Sequence, residues 1–210
     1  MDPTLVGRIA LPILLVAFAA TLLVWPVVRL RRRSGVQAVT IHRGAAAGQR
    51  AGALAFLGVQ LGAVVLAVLY AARGPAAVGA WPASPALPWI GIALALAGLA
   101  LVALAQRQMG VSFRIGIDEQ PTPLVTSGLF SLVRNPIYTG ILLLLAAVVL
   151  LVPSPWSVLL WLAAFVALVW HTRLEERHLR ALHGDAYRRY AAHTGRFVPG
   201  VGRLPDPEAR

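Results

Sequence analysis

Two short polar clusters interrupt an otherwise apolar chain. The first is Arg134-Asn135-Pro136, followed by Tyr138 and Gly140, at the start of the apolar run 137–152. The second is Glu175-Glu176, with His171 and Arg173 before it and His178 after it. A proline at the first helical position keeps the helix amino terminus open, and its unpaired N–H groups and dipole can hold an anion. In the second cluster His171, Glu175 and His178 recur at i, i+4 and i+7, so one helix face bears all three. A carboxylate there can steady a positive centre, and a histidine is the side-chain type that exchanges protons near neutrality. The same three residues have a formal metal-ligand spacing, but His183 and His193 lie on other elements and no further ligand is evident, so no metal is expected.

Each cluster also has a plainer reading. Arg134 alone would anchor a span at the interface, and Asn135 before Pro136 could be an N-cap and nothing more. Glu175 and Glu176 could form a charged turn neutralised by Arg173, Arg177 and Arg180, with Arg173, Glu176 and Arg180 as a solvated ion-pair face. His171 could be an interfacial residue, and Tyr187 with Tyr190 could pack a tail helix onto a membrane surface.

The elements that must carry these clusters follow from composition. Hydrophobic residues make up 58% of the 210, above the roughly 45–50% of soluble domains, so the solvent is lipid. There is no cysteine, which excludes disulfides and thiolate metal sites. Five apolar stretches suit membrane crossing, 9–28, 51–72, 87–106, 137–152 and 156–172. The last two are short and joined by Pro153-Ser154-Pro155-Trp156, which predicts a tight antiparallel hairpin. The first stretch lacks the basic leader and small-residue cleavage site of a signal peptide and is expected to stay as structure.

All nineteen basic residues are arginine and the net charge is +11. Six arginines fall in 29–50, three in 107–134 and eight from Arg173 onward, leaving Arg8 and Arg73 on the other side. Positive loops stay cytoplasmic, so the amino terminus is expected outside and the carboxyl terminus inside. The charge is then topological, with some attraction to anionic headgroups, and nucleic acid is not an expected partner. The expected fold is all-α, an integral membrane bundle of about five transmembrane helices with a cytosolic C-terminal helical extension that Gly184 interrupts. Residues 1–106 form a three-span region and 107–210 the functional core, one membrane domain overall. The 107–134 connection is too long for a turn, and its apolar residues, such as Phe113, Ile115 and Phe130, argue against disorder.

Taken in order, "PLVTSGLFSLVRNPIYTG", a helical hairpin and "RLEERHLRALHGDAYRRY" with "RFVPG" resemble the isoprenylcysteine carboxyl methyltransferase family. The same stretch is similar in part to phosphatidylethanolamine N-methyltransferases, and the likeness covers about 109–200. The resemblance implies a membrane enzyme that takes S-adenosylmethionine from the cytosol. It implies cofactor-binding positions at Asp118, Thr122, Leu124, Val125, Phe130, Arg134, Asn135, Pro136, Ile137, Tyr138, Glu175 and Glu176. Three departures stand out: Phe130 replaces a frequent tyrosine, Asn135 matches the phospholipid enzymes where the carboxyl methyltransferases have histidine, and His171 replaces a substrate-facing arginine. The resemblance, counted back from Gly184, also implies that Glu175 faces inward, with Glu176 left among surface arginines.

Methyl transfer needs alignment and dryness more than acid–base machinery. A carboxylate acceptor would call for a cation, an amine or thiol for a neutral base; Arg114, Arg173 and His171 are the candidates to meet substrate. The expected activity is methylation of a lipid-like or hydrophobic acceptor, with carboxyl O-methylation ahead of N- or S-methylation of a phospholipid amine or small thiol. A non-enzymatic scaffold is the rival outside enzymes; transport is disfavoured because the spans carry no mid-membrane polar site. Gly91, Ala95 and Gly98 permit close packing inside or between chains, leaving the oligomeric state open. The all-arginine, alanine-rich usage points to a bacterial plasma membrane.

Overall fold

The structure, a computed structural model, describes residues 2–28, 47–112 and 123–205. Its helices are α1 (Pro3–Ala19), prolonged by a π turn (Ala20–Val24), α2 (Ala47–Arg73), α3 (Leu87–Met109) and the single turn α4 (Leu129–Leu132). There follow α5 (Pro136–Leu151), α6 (Pro155–His183) and α7 (Asp185–His193). Among the described residues no strand forms, and an isolated parallel bridge joins Val133 to Gly195. The chain is the all-α membrane bundle that its hydropathy pattern predicts.

Four helical stretches, Thr4–Val28, Arg50–Arg73, Leu87–Met109 and Pro155–His193, are long and apolar enough to cross a membrane. The remaining one, α5, has only 16 residues; at about 1.5 Å per residue it reaches ~24 Å, short of a hydrocarbon core of roughly 30 Å. Its surroundings account for this. Gly140, Ile141, Leu144, Leu145, Ala147, Val148 and Leu151 are buried, and the helix packs on α3, α6 and α1. A helix walled in by protein has little lipid to match, so its polar mouth can begin beside longer neighbours.

The pairing of α3 with α5 is the most extensive in the bundle, and glycine makes it possible. A Cβ on Gly98 would lie 2.8 Å from the Gly140 carbonyl oxygen, and one on Gly140 would lie 2.8 Å from that of Gly98. Gly91 meets Leu151 and the Ala147 carbonyl in the same way, and Ala95 is buried between them. The small-residue stripe is therefore used within the chain, where van der Waals contact between close backbones holds membrane helices together. Near the other end of α3, the buried Gln106 amide reaches the Leu22 carbonyl in the π turn at 3.5 Å.

The predicted hairpin is present. Ser154 caps α6 in a reciprocal box with Ser157, and both hydroxyls are buried. The α2–α3 connection lies against it through Trp81 N–H donating to the Pro153 carbonyl at 3.0 Å. Exposed Trp81, Trp89 and Trp156 gather at this end, as an interfacial belt requires. At the opposite end Gly184, at φ 55°, stops α6, and α7 starts at once. Asp185 sits inside the first turn of α7 and makes no side-chain cap. Tyr187 is fully buried and the Tyr190 hydroxyl donates to the Phe130 carbonyl at 2.6 Å, so α7 packs back onto protein and not onto a membrane surface.

A single methyl group tests the glycine contact. Gly98→Ala should destabilise the bundle by about 1–3 kcal/mol, because the obstructing atom is backbone and cannot rotate away. Gly58→Ala, with nothing within 4 Å of its Cβ, should be neutral or slightly stabilising. Thermal unfolding in detergent compares the two.

Candidate active site

The chain enters α5 beside its own returning C-terminal segment. Val133 is extended (φ −140°, ψ 143°); Arg134 N–H donates to the Gly195 carbonyl at 2.8 Å and Asn135 N–H to the Arg196 carbonyl at 3.1 Å. The Thr139 hydroxyl donates to the Phe197 carbonyl at 2.8 Å. Residues 194–204 thus form a strap along the mouth of α5, tied at its far end by Leu204 N–H to the Ala191 carbonyl.

Beneath the strap lies a buried ion-pair network. Arg134 gives Nε and Nη2 to Glu176 Oε1 at 3.2 and 2.7 Å, and its remaining N–H groups reach the carbonyls of Ala191, Thr194 and Gly202. Arg196 completes the carboxylate through Nε to Oε1 at 3.0 Å and Nη2 to Oε2 at 2.8 Å. Burial alone would raise the Glu176 carboxyl, but the hydrogen bonds from Arg196 and Arg134 outweigh it and hold the group below the ordinary carboxylate range. Glu176 is 2% exposed. The expected solvated face of Arg173, Glu176 and Arg180 is therefore corrected: Glu176 points into protein, and Arg180 bonds its backbone carbonyl at 3.1 Å.

Glu175 turns about 100° away from Glu176, as neighbours on a helix must. The Tyr138 hydroxyl donates to its Oε2 at 3.1 Å. His171, one turn earlier, meets the Tyr138 ring edge-on with centroids 5.9 Å apart. On the α2 side, a Cβ at Gly52 would stand 3.4 Å from His171 Nδ1. Burial pushes the Glu175 carboxyl up against the opposing pull of His171 and of the Tyr138 hydrogen bond. Among the described residues no three potential ligands gather around a metal position.

Next to this cluster the α5 amino terminus has no side-chain cap. Asn135 occupies the N-cap position, but its side chain makes no cap and its Nδ2 instead faces the Arg196 carbonyl at 3.4 Å. Pro136 is buried at the first position, and Ile137 and Tyr138 pack against the core. Leu124 and Val125 are half-buried in the segment leading to α4. That turn is capped by Gln108, whose Oε1 accepts Leu129 N–H at 2.8 Å, and Phe130 is buried beneath it. The structure thus brings together His171, Glu175 and Tyr138, with Asn135 at the head of the same helix as Tyr138. Arg173 is exposed, about 160° round the helix from Glu175. Arg114, Asp118 and Thr122 lie outside the described residues. Arg196 and Thr139 tie the strap to the mouth; both lie within the motifs "RFVPG" and "RNPIYTG", but sequence reasoning gave neither a role.

Removing one charge tests the network. Glu176→Gln leaves the buried Arg134 and the partly exposed Arg196 without their counter-charge and should cost about 3–5 kcal/mol of stability. The stabilisation from the lowered carboxyl is present above its unfolded value of roughly 4.3 and is lost as pH falls through the lower folded value. Wild-type thermal stability should therefore hold to about pH 4 and then fall, while the variant should lack that acid limb.

Residues 87–186 match the family model described as Phospholipid methyltransferase. No curated protein matches the chain. The matched region runs from the start of α3 into the first turn of α7 and so contains Arg134 and Glu176, the uncapped amino terminus of α5 and the Tyr138, His171 and Glu175 cluster.

Proposed function

We propose that the protein is an S-adenosylmethionine-dependent methyltransferase whose cofactor lies at the mouth of α5 and whose acceptor comes from the membrane. The observation that carries this reading is the uncapped amino terminus of α5 next to Tyr138, Glu175 and His171. The donor set fits the group. The open N–H groups suit a carboxylate, Glu175 suits an amine, ribose hydroxyl or sulfonium, and Leu124, Val125 and Tyr138 offer walls to an adenine. When bound, the cofactor supplies a methyl group on a sulfonium that is already reactive. Arg134 and Glu176, both expected at the cofactor, have their polar groups engaged with each other and with the strap, so their part is to position the mouth.

The nucleophile follows from which charges remain. A carboxylate acceptor needs a cation beside it, yet Arg134 and Arg196 are paired with Glu176 and Arg173 faces outward. Glu175 with His171 instead suits an amine, which the carboxylate attracts and from which either group can take the proton lost on methylation. N-methylation of a lipid amine is the reading favoured by this arrangement and by the description of the matching family. Carboxyl O-methylation is the second reading and would require Arg114 as the cation. On the charge rule the mouth faces the cytosol, where the cofactor is, with the amino terminus outside and the carboxyl terminus inside.

Calorimetric titration of the detergent-purified chain with S-adenosylmethionine and its demethylated product tests the reading. Wild type should bind both at micromolar concentration, and Glu175→Gln should weaken binding roughly ten- to a hundredfold, the loss of a charge-assisted hydrogen bond. Silence up to millimolar cofactor would leave a scaffold as the better account. Transfer of labelled methyl to amine-bearing lipid over a carboxylate-bearing amphiphile should be seen, and the reverse preference would restore O-methylation.

Orientation has a separate check. A reporter fused after Arg210 should be cytoplasmic and one inserted between 76 and 83 external; reversed signals would remove the mouth from the cytosol.

A further inference from the structure

The strap is more apolar than its hydrogen bonds along the mouth require. Phe197, Val198, Pro199 and Val201 occupy its bend, and Val198 and Val201 are 55% and 62% exposed. Their depth is fixed by Phe197, whose ring meets Phe165 edge-on with centroids 6.5 Å apart. Phe165 in turn stacks on Trp161 at 5.8 Å. Both belong to the apolar part of α6, and lipid-facing Leu162 and Val166 flank Phe165. Phe165 precedes the exposed Arg173 by eight residues, which at ~1.5 Å per residue puts it roughly 12 Å deeper along α6. The Thr139 bond to the Phe197 carbonyl agrees, since Thr139 is already in the first turn of the buried α5.

From this we infer that the bend at residues 197–201 is seated in the bilayer, with Val198 and Val201 in contact with acyl chains at the boundary below the headgroups. The occupant is the membrane that the bundle already crosses, because the patch is continuous with the lipid-facing surface of α6. Part of the backbone of the bend is satisfied internally, as lipid favours for irregular structure. Arg196 N–H donates to the Val201 carbonyl at 2.7 Å and Val201 N–H to the Val198 carbonyl at 3.1 Å, while Pro199 has no N–H to satisfy. Charge is distributed accordingly: Arg196 turns inward to Glu176, and Arg203, beyond the bend, is exposed where headgroup phosphates would meet it. Seated this way, the strap carries contact with lipid to the backbone of Arg134, Asn135 and Thr139. The inference does not rest on methyl transfer.

The absence of cysteine makes the test direct. Single cysteines placed in the full chain at Val198, Val201, Val166 and Asp185, each carrying a nitroxide, are reconstituted in liposomes. Their collision rates with oxygen and with a water-soluble nickel chelate are then read by spin resonance. Val166 faces lipid on α6, and Asp185 is a largely exposed group on α7. The labels at 198 and 201 should group with 166, with oxygen favoured and the chelate several-fold less accessible than at 185. Grouping with 185 would overturn the inference, and shelter from both reagents would overturn it in favour of a second protein surface covering the bend. All four readings are taken without cofactor, so their outcome is independent of the titrations above.

Discussion

The Glu176 carboxylate, shared by Arg134 and Arg196, is the interaction on which the rest of the cytoplasm-proposed end depends. Each of its three residues belongs to a different element: the entry to α5, the extension of α6 and the strap. A buried ion pair is usually weak evidence for stability, because desolvation offsets attraction. Here the offset is reduced by completeness, since Arg134 places every N–H on an acceptor and Glu176 receives four bonds. Lysine could not substitute, having three donors and no planar fork. The pair's value is geometric, in that it fixes where the open amino terminus of α5 lies relative to Glu175.

The second constraint comes from inside the membrane. Gly98 and Gly140 bring the α3 and α5 backbones into contact, and a closely held, shielded helix does not have to span the full hydrocarbon thickness. That is how a polar mouth can be set among longer helices without exposing its N–H groups to lipid. Packing in the spans and electrostatics at their end therefore serve one geometry: the first sets the depth of the mouth and the second its roof.

Much of this was legible in sequence. Long apolar runs, the Pro-Ser-Pro-Trp hairpin and the Gly184 stop report local physics that tertiary context does not reverse. The face of α6 bearing His171 and Glu175 was legible as well, because helical periodicity alone groups them. What periodicity does not decide is which of two adjacent glutamates meets a buried partner. Glu176 looked like a surface residue because arginines surround it in sequence, whereas its partners, Arg134 and Arg196, lie 42 and 20 residues away. A membrane surface is one reading of Tyr190 in sequence for a similar reason: its acceptor, the Phe130 carbonyl, is 60 residues distant. A backbone carbonyl has no residue type by which a sequence could announce it.

Adjacent glutamates with opposite fates also show how one helix can hold two carboxylates in different environments. A carboxylate saturated by two arginines has no acceptor capacity left for a ligand and, with its titration pushed down, no proton to exchange near neutrality. A carboxylate held by a single tyrosine hydroxyl keeps an oxygen for a ligand, and its burial moves its titration the other way. The 100° step between the two keeps these environments apart although the residues are consecutive. Moving the Glu176 charge by one position would leave the buried Arg134 and the partly exposed Arg196 unpaired, so the register of α6 is tied to that pair.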